Sequence, residues 1–288
     1  MSVRPFPSLF PLIVFVCLCC GLSSCTSILT NTLINPAIGN LQQQQDITLV
    51  CEGAPAYLLM LDSMLVSSPE NQDLLLTSTQ SYSAYATALE ECGGMDQRID
   101  AIAIKARYYG QRLLQPLLPI DGKGDDSNLD KHLAKLTFAD VPYAFWGASG
   151  WLTWILRQKG SPEAIADIVL IEKIMARLLV LDETFQDGSI HLFFGAYHAA
   201  KPEMLGGRPD LSTEHFEKAL AISKRRFLMT QTTYAATLAR TTMNRDLHDR
   251  LLQEVLAFPL DSAPEFGLSN HIAVNQAKRL LEENYFQE

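Results

Sequence analysis

From Asp46 to the C-terminus, apolar residues recur every three to four positions, and runs that alternate apolar with polar residues are nearly absent. This period matches one face of a helix, whereas a half-buried strand would show a period of two. Proline followed by an acid marks several helix starts, as at Pro69-Glu70 and Pro162-Glu163. Proline at the first helical position loses no hydrogen bond, and the acid faces the positive end of the helix dipole. We therefore expect an all-α fold.

The same signals delimit the individual helices, and the short connections between them imply antiparallel hairpins. The predicted spans are 47–53, 54–67, 71–91, 96–115, 128–136, 141–158, 162–181, 189–200, 211–223, 227–242, 246–257 and 269–284. Ser212, Phe216 and Ala219 have the small, aromatic, small order of a second TPR helix. Because the spacing of helix starts is irregular, any repeats are degenerate. The sequence predicts a TPR-like, α-solenoid-like single domain over 46–288, with a plain helix bundle as the alternative.

The N-terminus has the features of a secretory signal. Arg4 precedes an apolar run from Leu9 to Leu22, which is shorter than the roughly 20 residues of a membrane span. The segment Leu22-Ser23-Ser24-Cys25 resembles the bacterial lipobox at all four positions. We therefore expect a lipoprotein signal peptide at 1–24, lipidation at Cys25 and a lipidated tether over 25–45. An ordinary cleaved signal, or a short anchor, is the alternative.

The charge of the chain limits its partners. Removal of residues 1–24 takes away Arg4 and no acid, so the formal net charge moves from −9 to −10. An acidic domain lacks the basic surface that nucleic acid or an anionic bilayer would attract. We therefore expect no nucleic-acid partner, and a membrane contact made through the lipid anchor.

Two cysteines, Cys51 and Cys92, remain after Cys25. Export would place them where thiols can oxidise. A helix that begins near Asn71 and runs antiparallel to the preceding one passes Cys51 near residue 88, which would allow a disulfide if the Cα atoms come within about 7 Å. The alternative is that both are small, buried, apolar side chains.

The sequence contains no recognisable catalytic or metal-binding motif. His191 and His198 share a helix face but lie two turns apart, so they cannot chelate one ion alone. There is no His-Glu-x-x-His pattern, no paired-cysteine motif and no glycine-rich phosphate loop. We expect no catalytic residue, no metal and no cofactor.

An aromatic face around two glycines is the strongest candidate for a binding site. Helical spacing places three tryptophans and a tyrosine around two glycines, and a second aromatic arc follows later in the chain. The face is either a close helix–helix crossing or the wall of an apolar channel, because ligand sites are commonly apolar and lined by aromatic residues. The channel candidates are Tyr143, Trp146, Gly147, Gly150, Trp151, Trp154, Phe193, Phe194 and Tyr197.

Several stretches along nearly the whole mature chain resemble the TatT-type T component of TPR-associated TRAP transporters. They include Cys51-Glu-Gly-Ala-Pro-Ala-Tyr-Leu58, Ala106-Arg-Tyr-Tyr-Gly110, Phe193-Phe-Gly-Ala-Tyr-His198 and His215-Phe-Glu-Lys-Ala-Leu220. Their order and spacing carry the resemblance, since none of them is diagnostic alone. The Thr-rich stretch from Thr230 to Thr242 has fewer charges than the family pattern.

The resemblance implies a periplasmic lipoprotein without catalytic activity. Such a subunit docks a periplasmic solute-binding protein, the P component, and passes an apolar or organic-acid ligand toward the membrane subunits. It also implies a homo-oligomer, a trimer, with a hydrophobic channel in each protomer. Thr26, which is not the Asp associated with inner-membrane retention, favours the outer membrane. The alternative function is a TPR-like scaffold lipoprotein in outer-membrane assembly.

Overall fold

The computed structural model describes residues 35–118, 126–200, 203–283 and 285–286, and these ranges contain helices and no strand. The all-α prediction is therefore confirmed. The chain divides into two compact units, Met1–Asn40 and Leu41–Glu288. The helices are α1 (Asn35–Gln43), α2 (Ile47–Ser67), α3 (Gln72–Glu91), α4 (Asp96–Leu114), α5 (Asp126–Lys135), α6 (Val141–Arg157), α7 (Pro162–Leu181), α8 (Phe185–Ala199), α9 (Pro209–Ile222), α10 (Met229–Tyr234), α11 (Arg245–Ala257) and α12 (Gly267–Glu282).

Helix α2 corrects one sequence prediction. Two helices were expected at 47–53 and 54–67, but the structure has a single helix that contains Pro55. A proline removes only one backbone donor, and the helix continues when the freed carbonyl finds another partner. The side chain of Asp46 caps the helix by accepting from the backbone N–H of Leu49. By length and composition α2 could cross a membrane, but its inner face is buried against the domain through Leu58, Leu61 and neighbouring residues.

Helix α8 begins with an irregular turn. Gln186, Asp187 and Gly188 have left-handed φ angles of 48°, 55° and 83°, so regular helical backbone starts at Ser189, as the sequence predicted. A Cβ atom at position 188 would lie 3.2 Å from the Cα atom of Ala219 on α9. Glycine at this position therefore permits both the backbone conformation and the close approach of α9.

Most close helix pairs are consecutive in the chain and pack around two apolar cores, whereas α4 packs on α6 past the intervening α5. Close helix pairs are α2 with α3, α3 with α4, α4 with α6, α8 with α9 and α11 with α12. The first core lies mainly among α4, α6, α7 and α8, and the second among α8, α9, α10, α11 and α12. Helix α10 continues into a π-helical turn at Ala235–Ala239. A TPR-like or solenoid arrangement of these hairpins stays a prediction.

Candidate functional site

The carboxylate of Asp62 joins α2 to two neighbouring helices. It accepts hydrogen bonds from Tyr82 Oη on α3 at 2.9 Å and from Tyr109 Oη on α4 at 2.6 Å. Lys105 Nζ on α4 forms an ion pair with it at 3.1 Å. Burial of the phenols, followed by their hydrogen bonds to this carboxylate, raises the pKa of Tyr82 and of Tyr109. The carboxylate therefore fixes the register of α2, α3 and α4.

Large apolar side chains lie exposed around this ion pair. On α2, Leu59 and Val66 stand one turn before and one turn after Asp62 and are 66% and 84% exposed. On α4, Ile104 and Tyr108 flank Lys105 and are 56% and 50% exposed. Residues three or four apart share a helix face, so Leu59 and Val66 lie beside Asp62 and Tyr108 lies beside Lys105. Ile104 stands four residues before Tyr108 and extends the same surface. We call Leu59, Val66, Ile104 and Tyr108 the Asp62 surface.

A second polar site joins α4, α6 and α7. The guanidinium of Arg107 lies 3.8 Å from the ring centre of Trp154, a cation–π contact, and pairs with Asp167 at 3.1 Å and with Glu163 at 2.9 Å. Trp151 donates from Nε1 to the same Asp167 carboxylate at 2.7 Å. Two of the predicted channel candidates, Trp151 and Trp154, are thus buried against a charged network.

The two glycines of the aromatic face lie against α4. A Cβ atom at Gly147 would be 3.0 Å from the carbonyl oxygen of Gly110, and one at Gly150 would be 2.7 Å from that of Ala106. Real Cβ atoms almost never come so close, so backbone of α4 fills the space at Gly150. Glycine at these positions permits the close crossing of α4 and α6.

The remaining aromatic candidates separate into different surroundings. Tyr143 donates to Asp73 on α3 at 3.3 Å. Phe193 and Phe194 are buried in the first core, and Trp146 and Tyr197 pack partly buried against it. Among the candidates, Tyr143, Trp146 and Tyr197 therefore retain partial exposure.

Cys51 and Cys92 are joined as a disulfide, with Cα atoms 6.6 Å apart. The disulfide connects the start of α2 to the end of α3. An open pocket of about 410 Å³ lies beside it, lined in part by Tyr85, Leu89 and Arg98.

The predicted lipidation site, Cys25, lies outside the described residues, as do residues 25–34 of the predicted tether. Within the ranges that the structure describes, no group of three or more His, Cys, Asp or Glu side chains is placed to hold a metal ion.

Sequence reasoning missed Asp62 and Arg107 as organising residues. Asp62 is the only charged residue in the last ten positions of the apolar helix α2. A lone acid in an apolar helix could have indicated a residue with polar partners on other helices. Arg107 gave no such signal, because its partners on α7 lie 56 and 60 positions later in the chain.

Together these features define an all-α helical-hairpin protein that is held by inter-helix polar contacts and carries an exposed apolar surface. The chain belongs to the TRAP transporter T-component family, whose family model matches residues 43–286. This is a family of transporter accessory subunits, and membership implies association with TRAP transporter components and a periplasmic or membrane-associated location. No curated protein matches the chain significantly.

Proposed function

We propose that this chain is a periplasmic, lipid-anchored T component that docks a TRAP solute-binding protein through the Asp62 surface. The observation that carries the proposal is the exposure of Leu59, Val66, Ile104 and Tyr108 around one inter-helix ion pair, in a chain of this family. Exposed apolar side chains that cluster around polar groups are typical of protein-binding surfaces. The Asp62–Lys105 pair would supply a polar contact within that surface.

The Asp62 surface is built on rigid elements, which favours docking without a large conformational change. Asp62 is held by Tyr82 and Tyr109, and Tyr108 lies edge-on to Tyr109 with ring centres 5.2 Å apart. The guanidinium of Arg112 packs 5.3 Å from the centre of the Tyr108 ring. A surface held in this way loses little side-chain entropy when a partner binds.

Binding between the purified chain and the purified solute-binding protein of the same transporter tests the docking proposal. Val66→Glu and Tyr108→Glu each place a charge on the Asp62 surface, and we expect each to weaken the Kd at least tenfold. Val180→Glu is the matched control, because Val180 on α7 is 76% exposed and lies outside this surface. Failure of the unaltered chain to bind, or equal Kd values for Val66→Glu and Val180→Glu, would refute the proposal.

The passage of an apolar or organic-acid ligand is the second part of the proposed function. Of the aromatic candidates, Trp146 and Tyr197 are partly exposed and pack at the edge of the first core, so a solute could reach them without displacing α4. Trp146→Ala should then lower solute uptake in cells while the Kd for the solute-binding protein stays unchanged. Unchanged uptake would exclude Trp146 from the solute path.

The family resemblance also supports a proposal about the quaternary structure. We propose a homo-oligomer, a trimer, tethered by lipid at Cys25 to the outer membrane. Sedimentation equilibrium of the purified chain distinguishes a trimer from a monomer, and a single species of monomer mass would contradict this part of the proposal.

A further inference from the structure

Three histidines meet where α8 packs on α9. The Nδ1 atoms of His191 on α8 and His215 on α9 lie 2.9 Å apart, and the ring centres of His215 and His198 are 5.7 Å apart. His191 is 1% exposed. Helical spacing in the sequence predicts that His191 and His198 share one helix face. It does not predict the contact of His191 with His215, because that contact depends on the register between two helices.

The contact between His191 and His215 needs one of the two Nδ1 atoms to be without a proton. A neutral imidazole has one nitrogen that donates and one that accepts, so a single proton can lie between the two Nδ1 atoms. When both Nδ1 atoms carry protons, two N–H groups point at each other across 2.9 Å. The hydrogen bond is then lost, and two positive charges lie side by side, one buried at His191 and one partly buried at His215.

The surrounding charges do not neutralise a second proton on this pair. The nearest carboxylate is Glu183, 3.3 Å from His191 Nε2, and it is 62% exposed. Glu214 on α9 is already paired with Lys218. Near His198, Arg208 opposes protonation, while Glu172 and Asp210 favour it. Burial is the largest cause of the lowered pKa of all three histidines, and together with the neighbouring His191 and His198 it lowers the pKa of His215 to about 4.

The pair lies at the boundary between the two cores. Helix α8 contributes Ile190, Phe193 and Phe194 to the first core, whereas α9 contributes Phe216 and Leu220 to the second. The packing is close, since a Cβ atom at Gly195 would lie 2.8 Å from the ring of Phe216. His191 is therefore shielded from water while α8 and α9 stay packed together.

We propose that His191 and His215 form a proton-sensitive contact that keeps the two cores of the domain together near neutral pH and releases α9 from α8 in acid. In the separated state both rings are hydrated and titrate near the ordinary value of about 6.5. The separated state therefore binds more protons than the closed state as the pH falls below about 6.5, and acid favours it. In the closed state the pKa of His215 is about 4. Protonation of this one residue should therefore favour the separated state at pH 5 on the order of tenfold more than near neutral pH.

Hydrogen exchange of the intact chain, measured near pH 7.5 and near pH 5 and corrected for the intrinsic exchange rate, tests the proposal. We expect protection of α9 amides to fall about tenfold at the lower pH, while protection of α3 amides stays the same. His215→Gln, which can still hydrogen-bond but cannot titrate, should reduce the fall and leave only the share that comes from His191. His132→Gln on α5 is the matched control and should retain the full fall.

A second measurement does not depend on a variant that folds. Ring NMR signals of His191 and His215 in the unaltered chain report their protonation, and we expect both to be neutral near pH 7.5 and to gain protons as α9 loses protection. Equal α9 protection at both pH values would overturn the proposal. An equal fall of protection in His215→Gln, with native helicity near pH 7.5, would do so as well.

Discussion

The Oη atom of Tyr85 donates a hydrogen bond to the carbonyl oxygen of Cys51 at 3.4 Å. That carbonyl is the one whose helical partner would be the backbone N–H of residue 55, and Pro55 has none. A side chain from α3 thus supplies the donor that the proline removes from α2. This relationship explains why α2 continues through a position where the sequence predicted a break.

Pro55→Ala should stabilise the domain. Alanine restores the backbone donor and removes the clash of the proline ring, a gain of up to about 3 kcal/mol. The greater freedom of the unfolded chain offsets about 0.4–1 kcal/mol of it. Urea unfolding should therefore show a higher midpoint, and an unchanged or lower midpoint would contradict the role given to Pro55.

The double variant separates the role of Tyr85 from that of the proline. Tyr85→Phe should cost about 0.5–1.5 kcal/mol in the native background. It should cost less in the Pro55→Ala background, because the backbone N–H of the introduced alanine then donates to the Cys51 carbonyl. Equal costs in both backgrounds would mean that Tyr85 and Pro55 act independently.

Gly150→Ala should destabilise the crossing of α4 and α6. The added Cβ atom would lie 2.7 Å from Ala106 O and 2.5 Å from Thr79 Cγ2, and relieving such overpacking costs about 1–3 kcal/mol. Gly53→Ala on α2 is the control, because nothing lies within 4 Å of its added Cβ. It should be neutral or stabilise by up to about 1 kcal/mol. A melting temperature for Gly150→Ala equal to that of the unaltered chain, with lost uptake, would instead support a solute passage at this face.

Local signals account for what the sequence predicted well. The starts of α7 and α11 depend on residues next to them, since Ser161 and Asn244 accept from N–H groups three positions later. The presence of the helices, and most of their first and last residues, can be predicted from such capping residues and from the spacing of apolar residues every three to four positions. They require no knowledge of which helices touch.

Contacts between helices account for what the sequence missed. The continuity of α2 depends on Tyr85, 30 positions after Pro55, and the histidine contact depends on His215, 24 positions after His191. Asp62 reaches Tyr109 across 47 positions. These pairings follow from the register between packed helices, which a single-helix pattern does not specify.

Stability should fall in alkali because of Tyr82 and Tyr109. Their pKa values are raised in the folded state, whereas in the unfolded chain they lose their protons near pH 10. The stabilisation of the folded state by these two residues is complete below about pH 10. Above about pH 10 it is lost, by up to about 1.4 kcal/mol per pH unit for each residue. Urea unfolding from about pH 9 to about pH 11 measures this slope.

Removal of both phenols should flatten the alkaline slope. Tyr82→Phe combined with Tyr109→Phe lowers stability at neutral pH but removes the two titrating groups, so the slope above pH 10 should decrease. Tyr108→Phe is the control, because Tyr108 is half exposed and does not bond to Asp62. A slope as steep in the double variant as in the control would show that other groups cause the alkaline loss.

The Cys51–Cys92 disulfide should contribute substantially to stability. It closes a loop with a sequence separation of 41, and the chain-entropy relation gives about 4 kcal/mol for a loop of that length. Replacing both cysteines by serine should lower the free energy of unfolding by about 2–5 kcal/mol. Thiol counting on the mature chain, denatured without reductant, should find neither cysteine free. Two free thiols would show that the bond does not form.

Lipidation at Cys25 is the prediction on which the membrane location depends. The motif ends in Cys25, whereas Cys20 is preceded by Cys17-Leu18-Cys19 and does not match it. Metabolic labelling with palmitate should therefore mark the unaltered chain and Cys20→Ala equally, and should leave Cys25→Ala unlabelled. The resemblance to the lipobox implies a diacylglycerol and one added acyl chain at Cys25, which is more than the two hydrophobic signals that stable anchoring needs. Cys25→Ala should therefore also move from the membrane fraction to the soluble periplasmic fraction. Cys20→Ala should remain with the membrane, and the outer membrane is the expected fraction on sucrose-density separation. Equal labelling of Cys25→Ala and the unaltered chain would place the modification at another residue.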